Sequence, residues 1–121
     1  MEPYKIWNFG GEKLEFDLYD AENMERYEQA MEDLQNRQST PKEVEKISES
    51  LKKQCEGYFE FFNILFNNAN TAEQLFNGKK NLSKCMEAYY DFLEFVANQG
   101  EQERSRLAGL REKYSKSRIK K

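Results

Sequence analysis

The chain has 121 residues, a net charge of −3, 38% hydrophobic and 14% aromatic residues, and no histidine. That length fits one domain, the aromatic share is too high for a disordered chain, and no stretch approaches the ~20 apolar residues of a membrane span. The missing histidine removes the commonest general base and the commonest zinc ligand together.

The N-terminus, Met-Glu-Pro-Tyr, has no basic region followed by an apolar run. No secretory signal is therefore expected, and the expected location is the cytoplasm. Residues 4–18 read as a β-hairpin. Tyr4, Ile6 and Asn8 alternate with Lys5, Trp7 and Phe9, Gly10-Gly11 supplies the positive φ of a tight turn, and Leu14, Phe16 and Leu18 alternate with charged residues. A lone hairpin is marginal in water, so this one has to pack on something.

Asp20 is placed to cap a first helix over about 21–36, whose stripe is Met24, Tyr27, Met31 and Leu34. Thr40-Pro41-Lys42-Glu43 has the form of a capping box with proline at the first helical position. It predicts a second helix from there to about Phe66. Val44, Ile47, Leu51, Cys55 and Tyr58 line one face of it, and Phe59, Phe61, Phe62, Leu65 and Phe66 then widen the apolar arc. Asn67-Asn68-Ala69-Asn70 breaks the helix, and Thr71 starts a short turn through Phe76. A last helix begins near Asn81 with Leu82, Cys85, Met86, Tyr89, Leu93 and Val96 on its stripe, broadened by Tyr90, Phe92 and Phe95. Gly100 is placed to bend or end the compact part. Leu107, Leu110 and Tyr114 keep the same phase in a weaker helical extension over 101–114, and 115–121 reads as a disordered basic tail.

The expected fold is therefore mostly α: three main helices plus a short helical turn, preceded by an N-terminal β-hairpin. It divides into a hairpin (1–19), a helical core (20–100) and a charged extension with a basic tail (101–121). Charge follows the same division. Arg104 to Lys121 holds eight basic residues and one acid, +7 in all, which leaves −10 on residues 1–103. An acidic body with a basic tail is an interaction signature.

Catalysis is not expected. Cys55 and Cys85 lie on apolar stripes, where a thiol behaves as a small hydrophobe. Neither has a histidine to activate it, and a disulfide is not expected in a cytosolic chain. Glu56 with Glu60, and Glu87 with Asp91 and Glu94, are spaced along helices but lack the histidines of a carboxylate-bridged metal site. They read as solvated faces, so no cofactor or metal is expected. Nucleic acid is a poor partner for a body this acidic, although the tail alone could contact phosphates. The sharper feature is the aromatic surplus: Tyr58, Phe59, Phe61, Phe62 and Phe66 on one helix, and Tyr89, Tyr90, Phe92 and Phe95 on another. A small domain has few inside positions, so some of these rings are expected at a protein interface. Arg111, Lys113, Lys116, Arg118, Lys120 and Lys121 are the expected charged contacts of the tail.

Three segments carry a family resemblance: Tyr-Lys-Ile-Trp-Asn-Phe-Gly-Gly-Glu-Lys-Leu-Glu-Phe-Asp-Leu-Tyr-Asp-Ala-Glu at 4–22, Gln54 to Phe62, and Lys113 to Arg118. Together they resemble a family of short proteins of siphophages and prophages of Gram-positive bacteria. The resemblance covers most of the chain and implies a tail assembly chaperone. Such a protein binds the tape-measure protein and tail-tube subunits in the host cytoplasm and is absent from the mature virion. In many such systems a longer form arises by ribosomal frameshifting. Two other readings stand beside this one: a phage-encoded acidic inhibitor of a host defence protein, and a self-assembling structural protein, that is, a homo-oligomer.

Overall fold

The computed structural model describes residues 3–39 and 46–119, the last four of these by backbone alone. A 3-10 turn, Pro3–Lys5, leads into strands β1 (Ile6–Phe9) and β2 (Glu12–Glu15). Helices α1 (Ala21–Ser39), α2 (Ile47–Leu65), α3 (Thr71–Phe76) and α4 (Leu82–Ile119) follow. The architecture is the predicted one, a helical domain preceded by a hairpin. The strands themselves occupy 6–15, and residues 16–20 form the link to α1.

The two strands are antiparallel, with Trp7 opposite Leu14 and Phe9 opposite Glu12. Gly10 and Gly11 both take positive φ, 57° and 84°, so the two-residue turn follows the right-handed twist of its strands. Alternation sends Trp7, Phe9, Leu14 and Phe16 to one side, and that side is buried on the helices. Trp7 is 2% exposed. Its ring stacks on Phe62 at 5.4 Å and meets the edge of Phe92 at 5.2 Å. Phe16 also meets Phe92 edge-on at 5.2 Å.

Three polar side chains of α4 hold the hairpin and its flanks. Trp7 Nε1 donates to Asp91 at 2.7 Å. The Tyr4 hydroxyl donates to Glu103. The Gln99 amide accepts from the Leu18 N–H and donates to the Phe16 and Tyr4 carbonyls at 2.7 and 3.0 Å. The buried backbone at the end of the hairpin is thereby paired by one side chain, as buried polar groups must be.

Asp20 caps α1 as its position predicts: its carboxylate accepts from the N–H groups of Glu22 and Asn23 at 3.0 and 3.1 Å. The capping box at 40–43 and Val44 lie outside the described residues. Helices α1 and α2 run antiparallel, since Arg26 reaches the Leu65 carbonyl while Gly57 lies against Leu34 and Arg37. Helices α2 and α4 run parallel: Tyr58 meets Tyr89 at 5.4 Å, and one turn on Phe62 meets Phe92 at 6.4 Å. The reversal needed between them passes through α3. Asn67 and Asn77 take left-handed φ of 50° and 52° at its two ends, which asparagine tolerates better than most residues. Asn63 Oδ1 accepts from the Ala72 N–H at 2.9 Å. Phe76 of α3 stacks on Phe59 of α2 at 5.3 Å.

One expectation is sharpened in α4 and one is corrected. The helix runs on through Gly100, which lies at the edge of the compact part; the missing side chain leaves room for Leu18, whose Cδ2 lies 3.5 Å from where a Cβ would stand. The region read as a disordered tail is helical to Ile119. Its Arg and Lys residues are good helix formers, and cations near a helix C-terminus oppose the negative end of the macrodipole.

Candidate interaction surface

The nine aromatic residues singled out in the sequence are brought together, but inward. Tyr58, Phe61, Phe62 and Phe92 are buried, and Phe59, Phe66, Tyr89 and Phe95 are packed against that core. Only Tyr90 stands out, 58% exposed. The hairpin is the reason. Trp7 and Phe16 lie on the wide apolar arc of α2 and α4, Trp7 against Phe62, Phe66 and Phe92 and Phe16 against Phe66 and Phe92, while Phe9 meets Phe76 of α3. The surplus counted on the helices is covered within the chain.

The exposed large apolar residues lie elsewhere. Ile47 (79% exposed) and Leu51 stand on the first turns of α2. Both belong to the stripe that holds Cys55 and Tyr58, so sequence periodicity places them inside. They are uncovered because the neighbours stop short. Cys55 lies beside Cys85, close to the start of α4 at Leu82, and Arg37, near the end of α1, is already level with Gly57. Met86 and Tyr90 are exposed one turn apart on α4. A second group, Leu107, Leu110 and Tyr114, lies on α4 beyond the helical bundle.

That part of α4 is an arm. Its root is at Gln99–Gly100, where Leu18 packs. Glu103, 3% exposed, is the last buried residue of α4 among those whose side chains are described. Two hydrogen bonds from the Arg106 guanidinium, at 3.1 and 3.2 Å, and one from the Tyr4 hydroxyl hold its carboxyl below the usual carboxylate range. From Arg104 to Ile119 the helix extends about 24 Å at 1.5 Å per residue. Arg111 and Lys113 are exposed on it, and positions 116 and 118 belong to its last turns. Lys120 and Lys121 lie outside the described residues.

Among the described residues no group of three or more Asp, Glu or Cys side chains is placed to hold a metal ion. Cys55 and Cys85 are free, buried and adjacent. Burial first, and then the neighbouring thiol, push Cys85 up to about 12, so it stays protonated and is a poor nucleophile at neutral pH. A polar cleft of about 390 Å³ lies between α1 and the end of α2, lined by Arg26, Gln29, Glu60, Asn63, Asn67 and Asn68 among others. Its cation is already engaged, with Arg26 bonded to the Leu65 carbonyl and to Asn23. No helix among the described residues is long and apolar enough to cross a membrane.

The fold and surface define a class: a mostly helical domain with a hairpin-locked aromatic core and a projecting amphipathic arm. Residues 10–121 match a family of unknown function, DUF6673, and the chain belongs to it. No match is found among curated proteins or among solved structures.

Proposed function

We propose that the protein works by holding another protein, as a phage tail assembly chaperone that keeps the tape-measure protein, and with it tail-tube subunits, competent for assembly. The observation that carries this reading is a closed core with large apolar side chains left in water at helical spacing: Ile47 and Leu51 on α2, Met86 and Tyr90 on α4. Each pair is four residues apart, the spacing at which neighbouring side chains share one face of a helix. Such a face can receive an amphipathic helix laid alongside. The resemblance of residues 4–22 and 54–62 to siphophage and prophage proteins supplies the partner, a long helical tape measure in the host cytoplasm.

Co-expression tests the proposal. The chain should keep the tape-measure protein soluble, and Leu51→Asp with Tyr90→Asp should abolish that effect. Both residues are exposed, so the double variant should keep its helical circular dichroism. A folded double variant that still solubilises the tape measure would refute this surface. Residues 1–103, at −10, favour one other reading, an acidic inhibitor that mimics phosphate charge. Competition with duplex DNA for a host nuclease, lost on adding salt, would mark that activity instead.

A further inference from the structure

We infer that the arm of α4 is a self-association element, covered by the same arm of a second copy running antiparallel across a two-fold axis. This goes beyond the chaperone reading and does not depend on it.

Leu107, Leu110 and Tyr114 recur at steps of three and four, so they share one face of the helix. On the turns before them the same face carries Val96, packed on the core, and buried Glu103. The stripe that seats α4 in its own bundle thus runs on past the bundle, and its side chains there are exposed among the described residues. Phosphate contacts alone would not call for such a stripe, whereas a protein surface would.

Charge selects which protein surface. The sequence from Arg104 onward carries +7, and two such arms side by side in parallel would repel along their whole length. The arm's root is the opposite. Residues 15–25 hold five acids and no base, and Glu101 is exposed on α4 next to Gly100, against which Leu18 packs. Antiparallel arms therefore bring the basic tip of one copy to the acidic root of the other, twice over. Leu110 of the two copies meets near the axis, Tyr114 of each lies against Leu107 of the other, and the exposed ring of Tyr19 lies at the root that the tip reaches. An isologous contact of this kind closes on itself as a dimer and leaves no free end to propagate.

Sedimentation equilibrium of the full chain at about 0.05 M and about 0.5 M salt tests the inference. At low salt the mass should be twice the 14.5 kDa of one chain, moving toward one chain as salt rises. Leu107→Asp with Leu110→Asp should leave a monomer whose thermal midpoint matches that of the wild type at high salt, where the wild type is also monomeric. Two charge-reversed variants, Arg118→Glu with Lys120→Glu and Glu22→Lys with Glu101→Lys, should each be monomeric alone and dimerise when mixed. A wild-type chain that is monomeric at every salt, a dimer indifferent to the Leu pair, a dimer that tightens with salt, an open-ended polymer, or a charge-reversed mixture that stays monomeric would each overturn it.

Discussion

Gln99 is the residue on which the join between hairpin and helices turns. Its amide is fully buried and serves the Leu18 N–H and the Phe16 and Tyr4 carbonyls. Gln99→Leu would fill the space but take this partner from the Leu18 N–H and the Phe16 carbonyl. At about 1–3 kcal/mol per buried unpaired group, the loss should reach roughly 3 kcal/mol or more, read as a lower urea midpoint with little change in slope. Gln99→Glu keeps the acceptor for Leu18 but turns an anion toward the Phe16 and Tyr4 carbonyls. Its folded carboxyl should bind a proton more readily than the unfolded one, so this variant should approach wild-type stability as the pH is lowered.

The two thiols make a prediction of the same sign at higher pH. Cys85 is pushed up to about 12 from an ordinary 9.0, by burial and then by Cys55. Between those values the unfolded chain gives up a proton that the folded chain keeps. Stability is therefore full below the lower value and falls as pH rises toward the upper one. The phenols of Tyr27, Tyr58 and Tyr89 are raised by burial and act in the same direction. The thermal midpoint should drop between pH of about 8 and about 10.5, and Cys85→Ala should flatten part of that slope. Native protein should resist thiol reagents until it is unfolded.

At the scale of elements, the hairpin is a lid on the aromatic core. Trp7 meets rings from β1, α2 and α4 and the carboxylate of Asp91. Removing it should cost roughly 3–5 kcal/mol, the range for large-to-small changes at a buried aromatic site. As the sole tryptophan it also reports the event: Trp7 emission should shift to the red only with global unfolding. Helix α4 is two elements in one. Amides from Cys85 to Gln99 lie within the bundle, whereas residues 107–115 are exposed on every side of the helix. Hydrogen exchange should be slow in the first segment and fast in the second.

Much of this architecture was legible in the chain. The Gly10-Gly11 turn, the Asp20 cap, the asparagine-rich break after Phe66 and the short helix at 71–76 each depend on local chemistry that residue types carry openly. The aromatic residues were legible as a cluster but not as a core. Periodicity says which way a side chain points from its own helix, and it cannot say that a strand eighty residues away will cover it. For the same reason Ile47 and Leu51 looked internal: their stripe is continuous, and only the lengths of the neighbouring helices reveal that it runs out of cover. Gln99 gave no signal at all, because one glutamine on a helix looks like any solvated residue until the backbone it serves is known. The helical tip of α4 was underrated since its charges suggest disorder, while their position near a helix C-terminus supports order.

At the scale of the whole molecule, charge is segregated along one axis, −10 on residues 1–103 and +7 beyond. Truncation after Arg106 should leave the bundle's unfolding midpoint within about 0.5 kcal/mol of wild type, as for surface changes away from core features. If the arms pair as inferred, the same cut should abolish the salt-dependent mass. Stability and assembly would then be separable by a single stop codon.

The parallel course of α2 and α4, with the hairpin clamped across them, also fixes an order of events at the ribosome. Trp7 waits for Asp91, and Tyr4 waits for Glu103, at sequence separations of 84 and 99. The first residues synthesised are thus among the last to find their places. Until α4 has emerged, the nascent chain carries a finished α1–α2 pair whose ring of phenylalanines has no roof. Long-range closure of this kind is slow, and an uncovered apolar face is where newly made chains stick to one another. A ribosome stalled before residue 90 should therefore hold a chain that binds hydrophobic dyes. One stalled well past 103 should hold a chain that no longer does.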